Sequence, residues 1–240
     1  MSKSVTQTRF TTSAKKQAAG TTAQTPLTVI IPAAGMGHRM KSYGPKCLLR
    51  VNNEETIIEK IISNVKKTFS FCEIIVVVGF EADKIIKKLS PEIRIIENQL
   101  YETTNTIESV RLAIHNSVYS NVLIIHGDLV FNINSIKDIT EGGSCVVIDS
   151  RKRFKNDEVG VTIIDNHIAN FAYGLESKWA QIAYLENQDL EMFKTLCFDR
   201  KRKKMFTFEV FNMMLDRGVK LKAVEPKSMT IKEIDSLKDL

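Results

Sequence analysis

Apolar runs and amphipathic segments alternate along the first two thirds of the chain. The apolar runs predict buried strands at residues 27–34, 73–80, 93–98, 121–131 and 144–149. Helical spacing of apolar residues predicts helices at 55–69, 81–89 and about 106–118. Asn105 and Glu108 have the spacing of a capping box at the start of the third helix. Continuous apolar strands separated by helices indicate an α/β fold, with a mostly parallel central sheet covered by helices on both faces.

The pattern changes from about residue 159. A hairpin around Asp165–Asn166, a strand at 177–185, two helices at 187–197 and 206–218, and a strand at 219–225 are predicted. The last segment, 231–240, combines a short extended piece with a helix. We expect these elements to form a small mixed subregion beside the same sheet. No linker interrupts residues 27–240, so they are interpreted as one domain.

Residues 1–26 differ from the rest in composition. They contain Lys3, Arg9, Lys15 and Lys16 but no acidic residue, so they hold +4 of the net charge of +6. The segment is polar, basic and without an apolar stripe, which predicts a disordered tail. An organellar transit peptide has a similar composition and remains the alternative. The other residues are nearly neutral, which argues against a nucleic-acid-binding face.

Hydropathy and cysteine usage exclude other classes. No apolar run approaches the roughly 20 residues that span a bilayer, so no transmembrane helix is expected. The four cysteines are widely separated and form no CxxC pair, which argues against a zinc ribbon or a disulfide framework. We therefore expect a reducing, cytoplasmic location. Cys47, close to a basic loop, is either a reactive thiol or a small packing residue.

A glycine-containing loop follows the first predicted strand. Met40 stands where a dinucleotide fingerprint and a Walker A loop each need a glycine, so neither motif fits. What remains is Gly-x-Gly-x-Arg followed by Pro-Lys. Two glycines let backbone N–H groups approach phosphate oxygens, while Arg39 and Lys46 add positive charge. The loop is interpreted as a triphosphate site, with a solvated glycine turn as the alternative.

Four segments occur in the order found in sugar-phosphate-type nucleotidyltransferases: "PAAGMGHRM…GPKCLL", "VVVGF", "HGDLVF" and "EIDSLKDL". The chain resembles that family, which implies a Rossmann-like, GT-A-like fold. By the resemblance, Arg39 and Lys46 are catalytic, and the nucleotide-binding residues of the loop are Ala33, Ala34, Gly35, Met36, Gly37, His38, Arg39 and Lys46. His38 replaces the usual serine or threonine, which puts one phosphate hydrogen bond in doubt.

Residues 97–113 resemble a segment of bacterial phosphocholine cytidylyltransferases. This resemblance places Asn105 and Ser109 in the nucleotide pocket, although capping and surface roles on the helix also fit them. It implies transfer of a nucleoside monophosphate from a triphosphate, CTP, to a small phosphorylated acceptor such as phosphocholine, with release of pyrophosphate. The alternatives are a sugar-1-phosphate nucleotidyltransferase that uses UTP, GTP or dTTP, and a non-catalytic nucleotide-binding regulatory module.

Two aspartates are the predicted metal ligands. Asp128 follows the strongest strand, where a carboxylate near a triphosphate suits Mg²⁺. The resemblance supplies Asp235 as the second ligand, although a helix cap is the simpler role for an Asp-Ser pair. His126 is expected to be a packed strand residue.

A choline headgroup needs aromatic faces around its quaternary ammonium. Tyr101, Tyr173, Trp179 and Tyr184, with Phe171, are the acceptor-binding candidates, and core packing is the alternative for each of them.

Overall fold

The computed structural model describes residues 25–37, 44–51, 54–151 and 158–240. The strands are β1 (Leu27–Pro32), β2 (Arg50–Val51), β3 (Glu55–Thr56), β4 (Cys72–Val78), β5 (Arg94–Glu97), β6 (Asn121–Ile125), β7 (Leu129–Phe131), β8 (Cys145–Asp149), β9 (Val159–Ile164), β10 (His167–Tyr173), β11 (Ser177–Glu186), β12 (Lys222–Val224) and β13 (Ile231–Glu233). The helices are α1 (Ile57–Thr68), α2 (Ala82–Ile86), α3 (Thr106–His115), α4 (Asn187–Phe198) and α5 (Thr207–Leu215).

A nine-stranded sheet in the order β5-β4-β1-β6-β11-β8-β12-β10-β9 organises the molecule. Strands β5, β4, β1 and β6 are parallel, as their continuous apolar sequences predict. Beyond β6 the pairing is antiparallel, except between β8 and β12. The α/β fold class is therefore confirmed. The sheet is mixed, because the hairpin β9–β10 and strand β11 belong to the same sheet as the parallel strands.

Helices cover both faces of the sheet. On one face, α1 buries Ile57, Ile58, Ile61, Ile62 and Val65, the apolar side expected from its sequence. On the other face, α3, α4 and α5 form a second core. Burial of this much apolar surface is the main stabilising contribution to the fold.

The predicted single strand over 121–131 is wrong. Strand β6 ends at Ile125, and β7 pairs with β13 in a separate two-stranded sheet. Gly127 explains the break: its N–H donates to the Pro32 carbonyl oxygen at 3.1 Å, and a Cβ here would lie 2.9 Å from that oxygen. The chain therefore crosses closely over the end of β1 and changes sheet, which carries Asp128 to the segment after β13.

The capping box predicted at Asn105–Glu108 is also wrong. Asn105 caps α3 by accepting from the Thr106 N–H at 2.9 Å, whereas Glu108 forms a two-point ion pair with Arg111 at 2.7 and 2.8 Å. An arginine three residues further along the helix is the stronger partner for this carboxylate. A capping box does occur at α1, between Thr56 and Glu59.

The disordered tail was predicted for residues 1–26, of which residues 1–24 lie outside the described part of the chain. Cys47 is only 3% exposed, and burial together with the charge of Asp128 raises the pKa of its thiol to about 12. The packing role therefore fits this cysteine. Over the described residues, every helix falls short of the length and hydrophobicity that a membrane span requires.

Candidate active site

The loop after β1 is held against the neighbouring strand. The Ala33 N–H donates to the Val77 carbonyl at 2.8 Å, and the Phe80 N–H donates to the Ala34 carbonyl at 3.1 Å. Gly79 permits this approach, since a Cβ there would lie 2.8 Å from the Ala34 oxygen. The loop backbone is therefore fixed where parallel strands of an α/β sheet bind ligands.

Lys46 turns back over this loop. Lys46 is the first residue of a short 3₁₀ turn after Pro45. Its side chain passes directly over Gly37, a residue with a φ of +53°. A Cβ on Gly37 would lie 3.1 Å from the Lys46 Cγ. The second glycine of the motif therefore does two things: it adopts a left-handed conformation and leaves room for the lysine stem. His38 and Arg39, predicted to bind phosphate, lie outside the described residues.

The ammonium of Lys46 joins the two predicted metal ligands. Its Nζ lies 2.8 Å from the Asp235 Oδ1 and 3.8 Å from the Asp128 Oδ2. The two aspartates are more than 100 residues apart in sequence and meet because β7 pairs with β13. The structure thus brings Lys46, Asp128 and Asp235 together in one cluster.

Asp235 is not the cap of the final turn. Ser236 occupies the cap position, and the Asp239 carboxylate accepts from the N–H groups of Asp235 and Ser236 at 3.2 and 2.8 Å. The simpler capping role considered for Asp235 therefore belongs to its neighbours. Its carboxylate faces Lys46 instead.

The environment of Asp128 suits a cation. Burial raises the pKa of the Asp128 carboxyl, and the Lys46 charge opposes that shift. Its Oδ1 is buried and has no hydrogen-bond partner among the described residues. Over the same residues, no group of three or more His, Cys, Asp or Glu side chains is arranged to hold a metal. Two carboxylates still fit Mg²⁺, which commonly takes its other ligands from water and substrate phosphates.

Two cavities meet at this cluster. The first, about 210 Å³, is lined by the loop after β1 and by the start of α3; the second, about 360 Å³, lies between β11, β13 and the start of α5. Four residues line both cavities: Lys46, Thr106, His126 and Asp128. A group bound in either cavity would therefore lie close to the Lys46 ammonium.

Polar side chains line the far end of the first cavity. The Asn98 amide donates to the Ser109 hydroxyl at 3.2 Å and to the Thr104 hydroxyl at 3.1 Å. The predicted nucleotide residues Asn105 and Ser109 both line this cavity, although Asn105 also caps α3. Tyr101, predicted to contact the acceptor, lies here too and not beside the second cavity.

Aromatic rings and charged groups line the second cavity. Of the predicted acceptor residues, Tyr173 and Trp179 lie here, together with Phe206 and Phe208, which the sequence did not single out. The Tyr173 and Phe208 rings meet edge to face, with centroids 5.5 Å apart. Tyr184 belongs to the core instead: it is 1% exposed, and its hydroxyl donates to Glu186 at 2.8 Å. Phe171 is likewise buried, against Trp179 and Phe211.

An ion-pair group in this wall was not anticipated from sequence. The Lys178 Nζ lies 2.7 Å from Glu158 and 3.1 Å from Glu233. Burial and the Asp128 charge raise the pKa of Glu233, and Lys178 opposes the shift. Lys178 lies on β11, Glu158 directly precedes β9 and Glu233 ends β13, so no spacing in the sequence indicates that the three meet.

His126 and Gln181 complete the junction. The His126 ring packs edge to face on Trp179, and burial lowers the pKa of its imidazole to about 4, so it is neutral at pH 7. Gln181 has a φ of +57° at a bulge in β11, and its carbonyl accepts from the His126 N–H at 3.3 Å. The bulge changes the register of β11 beside the two aromatic rings.

Comparisons with known proteins identify the family and the fold. The model of the MobA-like NTP transferase domain matches residues 29–200. Among solved structures, the CTP:phosphocholine cytidylyltransferase of Streptococcus pneumoniae is 19% identical with a TM-score of 0.75, covering 90% of this chain and 96% of that one. The inositol-1-phosphate CTP transferase of T. maritima is 17% identical with a TM-score of 0.74, covering 89% and 91%.

A nucleoside-diphosphate-sugar pyrophosphorylase from Vibrio cholerae RC9 is 13% identical with a TM-score of 0.68, covering 88% of this chain and 97% of that one. At such identities these likenesses concern the fold alone. Comparison with curated proteins gives no significant match. The domain match spans well over half of the chain and confirms the resemblance noted in the motifs. The chain therefore belongs to the MobA-like NTP transferase domain family and is a nucleotidyltransferase.

Proposed function

We propose that this nucleotidyltransferase transfers CMP from CTP to a small phosphorylated acceptor that carries a cationic headgroup, such as phosphocholine. The observation that carries the proposal is the position of the Lys46 ammonium. It lies where two cavities join and contacts both Asp128 and Asp235. A site for transfer between two bound substrates requires such a junction.

The reaction needs positioning and charge neutralisation. An acceptor phosphate oxygen attacks the α-phosphorus in line, a new P–O bond forms, and the bond to the β-phosphate oxygen breaks as pyrophosphate leaves. The acceptor phosphate is already ionised at neutral pH, so no general base is required. Lys46 neutralises the charge that develops at the α-phosphate, and the glycine loop presents backbone N–H groups to the phosphates. Arg39 is expected to help hold the triphosphate.

Asp128 and Asp235 would hold Mg²⁺ beside the phosphates. When bound, the ion supplies neutralisation of phosphate charge. The support for this site is the pair of carboxylates beside the Lys46 ammonium and the buried Oδ1 of Asp128, which has no hydrogen-bond partner among the described residues.

Charge and aromatic character of the second cavity support a cationic acceptor. Among the described residues that line it, carboxylates outnumber ammonium groups four to two: Asp128, Glu158, Glu233 and Asp235, against Lys46 and Lys178. Tyr173, Phe206 and Phe208 supply ring surfaces, and quaternary ammonium groups bind to such rings. Mg²⁺ and the acceptor phosphate would balance much of the charge near Lys46. The remaining negative charge of the carboxylates would then be available to the cationic headgroup.

The choice of CTP rests on resemblance. Residues 97–113 resemble the corresponding segment of phosphocholine cytidylyltransferases, and two of the structural neighbours are named as enzymes that use CTP. A sugar-1-phosphate acceptor with another triphosphate is the second candidate. The polar side chains of His126, Gln181 and Thr207 favour it, because they line the same cavity and can hydrogen-bond to hydroxyl groups.

A substrate matrix tests the proposal. Pyrophosphate release would be measured with Mg²⁺ for CTP, UTP, GTP and dTTP, each combined with phosphocholine, glucose-1-phosphate and inositol-1-phosphate. We expect the highest kcat/KM for CTP with phosphocholine. A preference for a sugar phosphate would support the second candidate. Nucleotide binding without pyrophosphate release from any pair would indicate a non-catalytic module.

A further inference from the structure

The Lys46 ammonium lies where the divalent ion of the proposed reaction would bind. This ammonium bonds the Asp235 carboxylate at 2.8 Å and lies 3.8 Å from Asp128, the two groups that would hold a divalent ion. The side chains of the three residues are 18%, 36% and 25% exposed for Lys46, Asp235 and Asp128, so water screens them only in part. An ammonium and a divalent ion cannot share these carboxylates without strong repulsion.

The carboxylates do not depend on Lys46 for their backbone positions. The Ile234 N–H donates to the Asp128 carbonyl at 2.9 Å, which ties the segments that carry the two aspartates to each other. The Asp239 carboxylate independently fixes the N–H groups of Asp235 and Ser236. Removal of the ammonium should therefore leave the two carboxylates close together with one positive charge fewer beside them.

The lysine side chain can leave this position without a change of backbone. The turn that carries it is fixed, since the Leu48 N–H donates to the Pro45 carbonyl at 2.9 Å. The stem crosses Gly37, which has no side chain to confine it, and Lys46 lines both cavities. Because Lys46 lines both cavities, rotation about its side-chain bonds would carry the ammonium away from the carboxylates and toward the first cavity.

We propose that Lys46 is a displaceable counter-ion: it neutralises Asp128 and Asp235 in the empty enzyme and moves to the triphosphate when the nucleotide binds, so that the divalent ion binds well only together with nucleotide. This inference rests on the proposed function for the identity of the group that attracts Lys46. It predicts that metal and nucleotide bind with positive coupling. The nucleotide would draw the ammonium away from the carboxylates, and the divalent ion would release the ammonium for the nucleotide.

Binding of Mn²⁺ to the nucleotide-free protein tests the inference. Free Mn²⁺ would be measured by electron paramagnetic resonance during titration of the wild type and of Lys46→Met. We expect Lys46→Met to bind Mn²⁺ at least about tenfold more tightly, a modest share of the attraction between unit charges at this separation in a protein cleft. Equal or weaker binding by Lys46→Met would overturn the inference.

Three further variants make the result specific. Lys46→Arg keeps a cation and should bind Mn²⁺ as weakly as the wild type, while Lys46→Met/Asp235→Asn should lose the gain. Lys60→Met is the matched control, because it removes a 2.7 Å lysine–glutamate pair outside the two cavities and should not change the affinity. Circular dichroism would verify folding, with Lys46→Gln as the second variant. Failure of both neutral variants to fold would make Lys46 a structural requirement and would also overturn the inference.

The result is independent of the substrate assignment. If the proposed function fails, no acceptor is nucleotidylated, yet the gain in Mn²⁺ affinity caused by Lys46→Met persists. If the inference fails, the wild type forms product from its substrates while Lys46→Met shows no gain. Repetition with α,β-methylene CTP adds a second readout: the wild type should bind Mn²⁺ more tightly in its presence.

Discussion

Substitution of Gly37 by alanine should damage the site in two ways at once. The residue has a φ of +53°, a conformation that costs an L-residue about 1–2 kcal/mol. The new Cβ would also lie 3.1 Å from the Lys46 Cγ and 3.4 Å from its Cε, so the lysine stem would have to move. We expect a loss of about 1–3 kcal/mol in the free energy of unfolding. A fall in kcat of at least about tenfold should accompany it, because ångström-scale misplacement of a catalytic group can cost about 100-fold.

Gly35→Ala is the matched control in the same loop. Apart from its own chain neighbours, no described residue has an atom within 4 Å of a Cβ built on Gly35, and its φ is outside the left-handed region. Its unfolding midpoint in urea should therefore equal that of the wild type, and any loss of activity should appear in KM for the triphosphate, since the methyl group would enter the cavity. Chemical denaturation and steady-state pyrophosphate release would be measured on both variants. Wild-type stability and kcat for Gly37→Ala would show that neither the left-handed backbone nor the contact with the Lys46 stem constrains this position.

Three other substitutions probe the charges and the acceptor wall. Lys46→Ala should lower kcat by about 100-fold or more, as loss of an electrostatic donor does; turnover near that of the wild type would contradict its role. Burial raises the pKa of Asp128, so its charge reduces stability as the pH rises through that pKa. Asp128→Asn should abolish turnover, because it removes a proposed metal ligand. It should nevertheless raise the unfolding temperature of the metal-free protein at pH 7, by roughly 2–4 °C for each kcal/mol of stability gained. This gain should vanish below about pH 4, where the carboxyl is protonated in both states, and an unchanged unfolding temperature at pH 7 would contradict the explanation. Phe206→Ala should raise KM for phosphocholine about tenfold, because a ring that faces the acceptor is lost. Phe198 is the matched control: it is 43% exposed, against 42% for Phe206, but lies outside the cavity, so Phe198→Ala should leave KM unchanged. Equal effects of the two substitutions would show that the aromatic rings do not bind the acceptor.

The parallel part of the fold was predictable because its strands carry their own signal. Strands β1 and β4 are buried on both faces, so each is an unbroken apolar run, and α1 between them has a clear apolar side. The division of 121–131 was not predictable in the same way. Apolar residues continue on both sides of Gly127, and only the approach of the β1 carbonyl shows why the chain must turn there.

The site was predictable where a motif fixed local geometry and not where it depends on distant pairing. The glycine loop and Lys46 follow one strand, so their proximity could be inferred. Asp235 reaches Asp128 through the pairing of β7 with β13, and only the family resemblance had suggested the contact. Tyr173 and Tyr184 both occur on strands, but one ends at the cavity and the other faces the core. Sequence alternation could not distinguish them, because several strands of this sheet are buried on both faces.

If Lys46, Asp128 and Asp235 form one nucleotidyl-transfer site, pyrophosphate and nucleotidylated acceptor should form together and should depend on Asp235. Both products would be measured at the same time for the wild type and for Asp235→Asn. We expect equimolar products from the wild type and a rate at least about 100-fold lower from the variant, because the variant loses a charge that balances Lys46 and would hold Mg²⁺. An unchanged rate for Asp235→Asn, or nucleotide binding by the wild type without either product, would show that these residues do not form such a site.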